Sequence, residues 1–319
     1  MAGSSALPGD GVLDAVAVRA AGEEAVARAL AEDLGVAVDA TPAQRRAADA
    51  TATATIPPDL PGEASLVARA DGVIAGTALV ELTFAAVDPS LAVSIDVADG
   101  AAVTRGQVLG AVTGPLASVL AGERTALNFL THLSGVATRT REFARAVDGT
   151  GCVVRDTRKT TPGLRLLEKA AVRAGGGVNH RVGLADALLV KDNHVAAAGG
   201  VAEATRRALA AVGGRHVQVE VTSLAELDAA VDAGARDVLL DNFTPEGCAE
   251  AVAHLAARDL AERVLLEASG TIRLDTVAAY AASGVDRVAV GALTHSAPQL
   301  DIALDVRAVG SDAAPRPEA

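Results

Sequence analysis

Lysine is confined to one short segment of this 319-residue chain, at Lys159, Lys169 and Lys191. The chain also carries 25 arginines (28 Lys+Arg less three lysines), so lysine is expected only where a compact, rotatable ammonium is needed. Between Arg155 and His194, eight Lys/Arg stand against four Asp/Glu, although the whole chain has a formal net charge of -12. A positive pocket in an acidic protein predicts a small anionic ligand, because a nucleic acid needs a broad basic surface.

Polar residues or glycines stand at the ends of six short apolar runs in the second half of the chain. The runs, which are predicted strands, are residues 152–156, 187–191, 217–221, 237–241, 264–268 and 287–291. Their ends carry Thr157, Arg158, Lys159, Lys191, Asp192, Glu220, Asp241, Asn242, Glu267, Ser269, Gly270 and Gly291. In α/β barrels the carboxyl ends of the strands face the active site, so we expect these residues to converge.

Amphipathic helical patterns separate these runs, at residues 164–174, 201–212, 223–233, 245–257 and 274–282. Strands that alternate with helices pair in parallel. Six strands are fewer than the eight of a standard barrel, which predicts an α/β fold with an incomplete barrel. Before residue 130, helical patterns at 12–21 and 23–34 precede short strand-like runs at 64–69, 73–76, 92–97 and 108–112, which indicate a small α+β domain.

The composition excludes several classes of protein. Hydrophobic residues make up 50% of the chain but aromatic residues only 2%, which predicts an aliphatic core. The negative charge argues against binding to DNA or to anionic lipid. No run approaches the roughly 18 apolar residues of a membrane span. Cys152 and Cys248 have hydrophobic neighbours and are expected to be buried thiols, which favours a reducing, cytoplasmic location.

The chain resembles the quinolinate phosphoribosyltransferase family over about residues 50–306. The motifs that carry the resemblance are ERTALNFLTHLSGVAT, DTRKTTPGLRLLEKAAVRAGGGVNHR, LLVKDNHVAAAGG, VEV, LLDNF, EASGTI and VGALTHSAPQLDIALDV. It implies an N-terminal α/β sandwich joined to a six-stranded open barrel of the type II phosphoribosyltransferase kind. We place the sandwich at residues 12–129, completed by about 294–308, and the barrel at 130–293.

The resemblance also implies an activity. The family transfers the phosphoribosyl group of 5-phosphoribosyl-1-pyrophosphate to quinolinate, which gives nicotinate mononucleotide, pyrophosphate and carbon dioxide in NAD biosynthesis. Mg²⁺ is required, and the enzyme is normally a homodimer.

The family motifs assign the quinolinate carboxylates to Arg158, His180 and Arg181, with Arg124 contributed by the partner subunit. Paired guanidinium hydrogen bonds suit a planar dicarboxylate, at about 1.5–3 kcal/mol for each bond to a charged group. The alternative is that Arg158 and Arg181 only form surface ion pairs.

Lys159 and Lys191 match site lysines that neutralise pyrophosphate and a substrate carboxylate. Lys169 matches another family position, although a solvated helix face would explain it equally well. Glu220 and Asp241 are the expected Mg²⁺ ligands, because this cation prefers a few carboxylates together with water. A structural salt bridge is the alternative role for one of these acids.

Two loops are expected to bind the 5-phosphate with backbone N–H groups, at Ser269 with Gly270 and at Gly291. The chain departs from the family at Thr271, where glycine is common and where a β-branched residue would resist positive φ. A second departure is Thr222, where an acid is frequent, and this could weaken a secondary metal contact.

Three other functions remain open at this point. The chain could be a related phosphoribosyltransferase that acts on another anionic heterocycle or in a molybdenum-transport context. It could also be an aldolase that forms a Schiff base on Lys191, or a sensor of nicotinate or phosphate without activity. The intact TRKT, NHR and VKDNH segments favour quinolinate.

Overall fold

The computed structural model describes residues 11–308, which form two compact units. The first unit contains residues Asp14–Thr138 and the described residues from Pro298 onward. The second contains Arg139–Ala297 and the described residues before Asp14. Within residues 11–308, no helix is both long enough and apolar enough to cross a membrane.

The chain begins with the helices and strands of the first unit. The helices are α1 (Ala15–Leu34), α2 (Pro42–Ala48), α3 (Ala50–Thr55), α4 (Thr77–Val87) and α5 (Leu116–Ala146), the last of which crosses the division between the units. The strands are β1 (Pro61–Ala68), β2 (Gly72–Val73), β3 (Ala92–Ile95), β4 (Ala102–Val103) and β5 (Val108–Pro115).

The prediction of two separate helices at 12–21 and 23–34 is wrong. A single helix, α1, begins after the N-cap Asp14, whose carboxylate accepts from the Val16 N–H at 2.9 Å, and continues to Leu34. Gly22 lies inside the helix and is buried. A glycine costs a helix only about 1 kcal/mol relative to alanine, so burial of this face is enough to keep the helix continuous.

The second unit alternates strands with helices. Its strands are β6 (Val153–Arg155), β7 (Ala187–Val190), β8 (His216–Val221), β9 (Asp237–Asp241), β10 (Leu265–Ser269) and β11 (Arg287–Ala289). Its helices are α6 (Arg165–Gly175), α7 (Asp192–Ala198), α8 (Val201–Ala210), α9 (Leu224–Asp232), α10 (Pro245–Ala257), α11 (Val277–Ala282) and α12 (Ala292–His295).

These six strands form a parallel sheet in the order β6-β11-β10-β9-β8-β7. The order is that of a barrel followed around its circumference, and it ends at β6 and β7, which are consecutive in the chain. Among the residues that the structure describes, the sheet therefore stays open between these two strands. The predicted α/β fold with an incomplete six-stranded barrel is confirmed.

The free edge of β6 is covered by the chain that follows α6. Val178 pairs in parallel with Arg155, and its N–H donates to the Val154 carbonyl at 2.9 Å. Gly177 is required here, because an added Cβ would lie 2.8 Å from Thr140 Cγ2 and 2.9 Å from Val172 Cγ1. This pairing satisfies backbone groups of the edge strand and carries the next residues, 179–181, to the end of the barrel.

The last strand, β12 (Ile302–Ala308), returns to the first unit and pairs antiparallel with β1. The resulting sheet has the order β12-β1-β5-β3. Its core is aliphatic apart from Phe84, and its members include Leu66, Val80, Leu109, Val119 and Leu130.

The segment before β12 packs closely on α5. The Leu300 N–H donates to the Thr131 carbonyl at 3.0 Å. A Cβ added to Gly135 would lie 2.2 Å from the Pro298 carbonyl oxygen and 2.9 Å from Gln299 Cα. Glycine at position 135 therefore lets the two backbones approach.

We expect Gly135→Ala to destabilise the protein by about 2–3 kcal/mol, because backbone atoms rather than a mobile side chain block the added methyl group. The urea midpoint of unfolding measures this effect. Gly247→Ala in α10 is the matched control, since its Cβ would come no closer than 3.4 Å to Phe243. This control should be neutral or stabilising by up to about 1 kcal/mol, and equal midpoints for the two variants would contradict the packing argument.

Candidate active site

The carboxyl ends of neighbouring barrel strands are joined in pairs by side-chain or backbone hydrogen bonds. At the ends of β7 and β8, Lys191 Nζ donates to Glu220 Oε2. Between β9 and β10, the Asn242 N–H donates to the Ser269 carbonyl at 2.9 Å. A Cβ on Gly270 would lie 2.8 Å from Asn242 Oδ1, so these two loops touch.

The loops after β6 and β11 are also in contact. Thr294 Oγ1 donates to the Lys159 carbonyl at 2.8 Å. A Cβ on Gly291 would lie 3.1 Å from Lys159 Cδ, so the lysine stem lies over this glycine. The structure thus places predicted residues from the strand ends of the second unit along one edge of its sheet.

Arg158 and Arg181 form the most unusual electrostatic feature of this edge. Arg181 is only 6% exposed. Burial lowers the pKa of its guanidinium, and the nearby charge of Arg158 lowers that pKa further. Among the described residues, Nε of each arginine is buried without a hydrogen-bond partner. Two mutually repelling guanidiniums with free donors favour an anion, which argues against ordinary surface ion pairing.

Arg165 in α6 connects the loops that carry these two arginines. Its Nε donates to Thr160 Oγ1 at 3.0 Å, and its Nη1 donates to the Val182 carbonyl at 3.1 Å. The rigid guanidinium fork therefore holds the segment after β6 against the segment that contains Arg181.

His180 does not present a free ring nitrogen. Its Nδ1 accepts from the Arg181 N–H at 2.7 Å, and its Nε2 lies 3.0 Å from Gln218 Oε1. Burial lowers the pKa of His180 to about 4, so the ring is neutral at neutral pH. The expected contact between this ring and a substrate carboxylate would require one of the two bonds to break.

Lys169 is completely buried, which rules out the alternative of a solvated helix face. Its Nζ donates to Asp156 Oδ1 at 2.5 Å and to the His180 carbonyl at 2.9 Å. Asp156 also accepts from Asn179 Nδ2 at 2.7 Å and from the His180 N–H at 2.7 Å. Burial raises the pKa of Asp156 and lowers that of Lys169, because it disfavours both charged forms.

Sequence reasoning did not predict a second buried polar cluster, on the inward face of the sheet. Its members are Arg155, Gln218, Asp237, Glu267 and Arg287, each no more than 2% exposed. Sequence reasoning placed one member, Glu267, at a strand end that faces the site, which is wrong, because Glu267 lies within β10 and is fully buried. Arg155 pairs with Glu267 at 2.6 Å and Arg287 pairs with Asp237 at 2.8 Å. The alternation of polar residues in HVQVEV is a signal that could have revealed Gln218, because alternate residues of a strand share one face.

Glu220 and Asp241 offer the carboxylate oxygens for a divalent cation. Glu220 is 9% exposed, and Asp241 Oδ2 accepts from Asn242 Nδ2 at 2.8 Å. Over residues 11–308, no group of three or more His, Cys, Asp or Glu side chains could hold a metal ion. Two carboxylates still fit Mg²⁺, which takes its remaining ligands from water and substrate phosphates.

The backbone of the predicted phosphate loop makes Thr271 compatible with the site. Gly270 has φ of +135°, whereas the non-glycine residues with positive φ in the described chain are Asn242 and Asp259. Thr271 therefore needs no left-handed conformation. Thr222 binds Glu226, whose carboxylate accepts from its N–H at 2.7 Å and from its hydroxyl at 2.9 Å.

Arg124 lies in α5, in the part of the helix that belongs to the first unit. Its side chain is 64% exposed, and its Nη2 is 4.0 Å from Glu123 Oε1. The residue is thus a largely exposed cation.

Sequence comparison finds similarity along most of the chain. Residues 136–305 match the profile described as "Quinolinate phosphoribosyl transferase, C-terminal domain" and residues 49–134 match that of the N-terminal domain. The chain is 46% identical over 291 residues to nicotinate-nucleotide pyrophosphorylase [carboxylating] of Mycobacterium leprae, covering 90% of this chain and 97% of that protein. It is 42% identical over 245 residues to a probable enzyme of the same name from Bacillus subtilis, covering 76% and 83%.

Solved structures agree with the sequence relatives. The fold is similar to that of the nicotinate-nucleotide pyrophosphorylase from Francisella tularensis, with a TM-score of 0.82 and 33% identity over 95% of this chain and all of that one. A structure titled NadC from Streptococcus pyogenes has the same TM-score at 35% identity, over 94% of this chain and 99% of that one.

We expect Lys169→Met to destabilise the protein by about 3–5 kcal/mol, because it leaves the buried Asp156 carboxylate without its cation. The free energy of unfolding in urea measures this loss. Lys159→Met is the matched control, since Lys159 is exposed and its side chain has no ion pair among the described residues. A Lys169→Met protein as stable as this control would contradict the prediction, because it would show that the buried Asp156 carboxylate does not need this cation.

Proposed function

Because the chain belongs to the quinolinate phosphoribosyltransferase family, we propose that it transfers the phosphoribosyl group of 5-phosphoribosyl-1-pyrophosphate to quinolinate. The products are nicotinate mononucleotide, pyrophosphate and carbon dioxide, in the pathway of NAD biosynthesis. The observation that carries the proposal is the pair of close guanidiniums at Arg158 and Arg181, each with a buried and unpartnered Nε. Quinolinate is a planar dianion, and binding it relieves the repulsion between two such cations.

Arg158 and Arg181 are assigned to the quinolinate carboxylates. Arg181 is held by its own Nη1, which donates to the Ala187 carbonyl at 2.9 Å. Its remaining donors are thereby directed before substrate arrives, which lowers the entropic cost of binding. His180, whose ring nitrogens are both engaged, supports Arg181 in this arrangement.

The neighbouring strand ends are assigned to 5-phosphoribosyl-1-pyrophosphate. Lys159 is exposed at the site and carries a mobile ammonium suited to a phosphate that moves during the reaction. Lys191, held by Glu220, supplies a second cation. Backbone N–H groups at Ser269, Gly270 and Gly291 are assigned to the 5-phosphate, because small residues leave the backbone open to a ligand.

We assign Mg²⁺ to Glu220 and Asp241. When bound, this ion neutralises the charge that develops on the leaving pyrophosphate. The fit rests on the two carboxylates, each of which keeps an oxygen beyond the one it uses within the protein.

The chemistry then depends mainly on position. The ribose C1 gains oxocarbenium character as pyrophosphate leaves, and the quinolinate nitrogen attacks from the opposite face. Holding the two reactants in line can supply about 7–11 kcal/mol of the barrier, and cations placed in advance stabilise the leaving charge. In the phosphoribosylated quinolinate the bond between C2 and its carboxylate then breaks as carbon dioxide leaves, and its electron pair stays on C2, stabilised by the positive ring nitrogen. C2 takes a proton from water to give nicotinate mononucleotide, so no protein nucleophile is needed.

We also propose that the enzyme is a cytoplasmic homodimer in which Arg124 of one subunit completes the quinolinate site of the other. The exposed side chain of Arg124 supports an intermolecular role. Cys152 and Cys248 are buried free thiols, and burial raises the pKa of each to about 12, which suits a protein that does not rely on disulfides.

Arg158→Ala and Lys159→Ala should each abolish release of labelled carbon dioxide from carboxyl-labelled quinolinate, because each removes a cation that binds substrate rather than one that holds the fold. The assay is run with and without Mg²⁺, and we expect release only with the ion. Arg173→Ala, at an exposed arginine of α6, is the matched control and should retain wild-type release. Near-normal turnover in either site variant would contradict the assignment, as would turnover in a metal-free buffer.

A purified heterodimer of one Arg124→Ala subunit and one Lys159→Ala subunit tests the shared site. If Arg124 acts in the partner's site, one of the two sites keeps both residues, so we expect about half of wild-type activity. Both mutant homodimers should be almost inactive. An inactive heterodimer would show that Arg124 acts within its own subunit.

A further inference from the structure

We propose that Gln218 is a positioning residue that fixes the ring of His180 and, through it, the backbone of Arg181 at the anion site. The identity of the anion rests on the function proposed above. The hydrogen-bond chain itself rests on the geometry alone.

The two carboxylates beside Gln218 determine how its amide is oriented. The Gln218 amide nitrogen lies 2.8 Å from Asp237 Oδ1 and 3.0 Å from Glu267 Oε2. Ionised carboxylates only accept hydrogen bonds, so both amide hydrogens are directed at these acids. The amide oxygen is left as the group that faces His180.

This orientation selects the tautomer of His180. An amide oxygen only accepts, so the His180 Nε2 that lies 3.0 Å away must carry the hydrogen. In a neutral ring the other nitrogen, Nδ1, is then an acceptor, and it receives the Arg181 N–H at 2.7 Å. The direction of donation thus passes unbroken from the backbone of Arg181 to two buried carboxylates.

The end of the hydrogen-bond chain that is farthest from Arg181, at Asp237 and Glu267, is held by ion pairs. Asp237 accepts from Arg287 Nη1 at 2.8 Å and has His216 Nε2 at 2.8 Å. Glu267 accepts from Arg155 Nη1 at 2.6 Å. Burial raises the pKa of Asp237, but its hydrogen bond with His216 and the charge of Arg287 outweigh this, so the net pKa is lowered and the carboxylate stays an acceptor.

Every polar atom of His180 has a hydrogen-bond partner, so a change at its ring can affect the position of Arg181. Its N–H donates to Asp156 and its carbonyl accepts from Lys169. The backbone of His180 is therefore fixed by one buried cluster, and its ring by Gln218 from the other. Removing the Gln218 amide leaves the backbone of His180 in place but frees its ring, and it takes one donor from each of Asp237 and Glu267, which keep their arginine partners. The loss at the ring is expected to reach the neighbouring Arg181.

The test is Gln218→Met, which keeps an unbranched side chain of similar size but removes the amide. We expect the KM for quinolinate to rise about tenfold, because the guanidinium of Arg181 loses part of its support. The KM for 5-phosphoribosyl-1-pyrophosphate should stay within about twofold, since Lys159 and the phosphate loops lie outside this hydrogen-bond chain. An equal rise in both constants would overturn the proposal, because a general loss of structure has that effect.

A double-mutant cycle tests whether Gln218 acts through His180. Gln218→Met added to His180→Ala should raise the KM for quinolinate by no more than about twofold beyond His180→Ala alone. If the rise in the KM for quinolinate in the double variant equals the product of the rises in the two single variants, the proposal is overturned. His254→Ala is the matched control, because it removes a histidine–aspartate hydrogen bond, to Asp228, that lies outside this hydrogen-bond chain; it should leave the KM for quinolinate within about twofold.

The tautomer gives a readout that does not depend on activity. In wild-type protein labelled with 15N-histidine, and assigned with His180→Ala, the His180 ring should carry its hydrogen on Nε2 at pH 7.5 and remain neutral at pH 5.5. Hydrogen on Nδ1 would overturn the positioning role even if quinolinate is the substrate. Hydrogen on Nε2 in a protein that releases no carbon dioxide from quinolinate would instead refute the proposed function and leave the hydrogen-bond chain supported.

Discussion

Buried charge is the constraint on which the second unit depends. Arg155, Glu267, Arg287 and Asp237 lie on the inward face of the parallel sheet, and the pair of Asp156 and Lys169 lies beside β6. Removing an ion from water costs several kcal/mol even after relaxation, so each charge must keep its partner and its hydrogen bonds. Such pairs add little net stability, but they tolerate few other arrangements of the strands and of α6. They therefore specify a geometry more than they stabilise it.

That geometry converges on residues 179–181. Asp156 and Lys169 bind the backbone of His180 from one side, while Gln218 binds its ring from the other. The buried charges cancel in pairs, so they add little net field at the carboxyl edge of the sheet. The positive field of that edge comes instead from Arg158, Lys159 and Arg181, which have no carboxylate within ion-pairing distance among the described residues. Paired charges in the interior and cations without a direct ion-pair partner at this edge are suited to an anionic substrate.

Much of the architecture could be predicted, because the six strands are short, β-branched and separated by amphipathic helices. The strand over residues 237–241 and the helix over 245–257 were predicted with their observed bounds. Helices α4 and α5 were not predicted, since they occur among glycine-punctuated segments of a unit that was interpreted mainly as strands. Gly22 was treated as a break although it is buried within α1. For α4 and α5, and for Gly22 in α1, burial in the folded protein decided the conformation. Local helix propensity alone does not predict this burial.

For the residues of the site, too, some features were determined by the sequence and others only by the tertiary structure. The amino-acid sequence by itself determined the family, the parallel α/β pattern and the cations and acids at the strand ends, because motifs and periodicity are local properties of the chain. Only the tertiary structure decided that Lys169 is a buried partner of Asp156, that both ring nitrogens of His180 are occupied, and that Gln218 joins two ion pairs to Arg181. These roles depend on contacts between residues up to 112 positions apart. A side chain's type states what it can donate or accept, but only the fold decides which partner it meets.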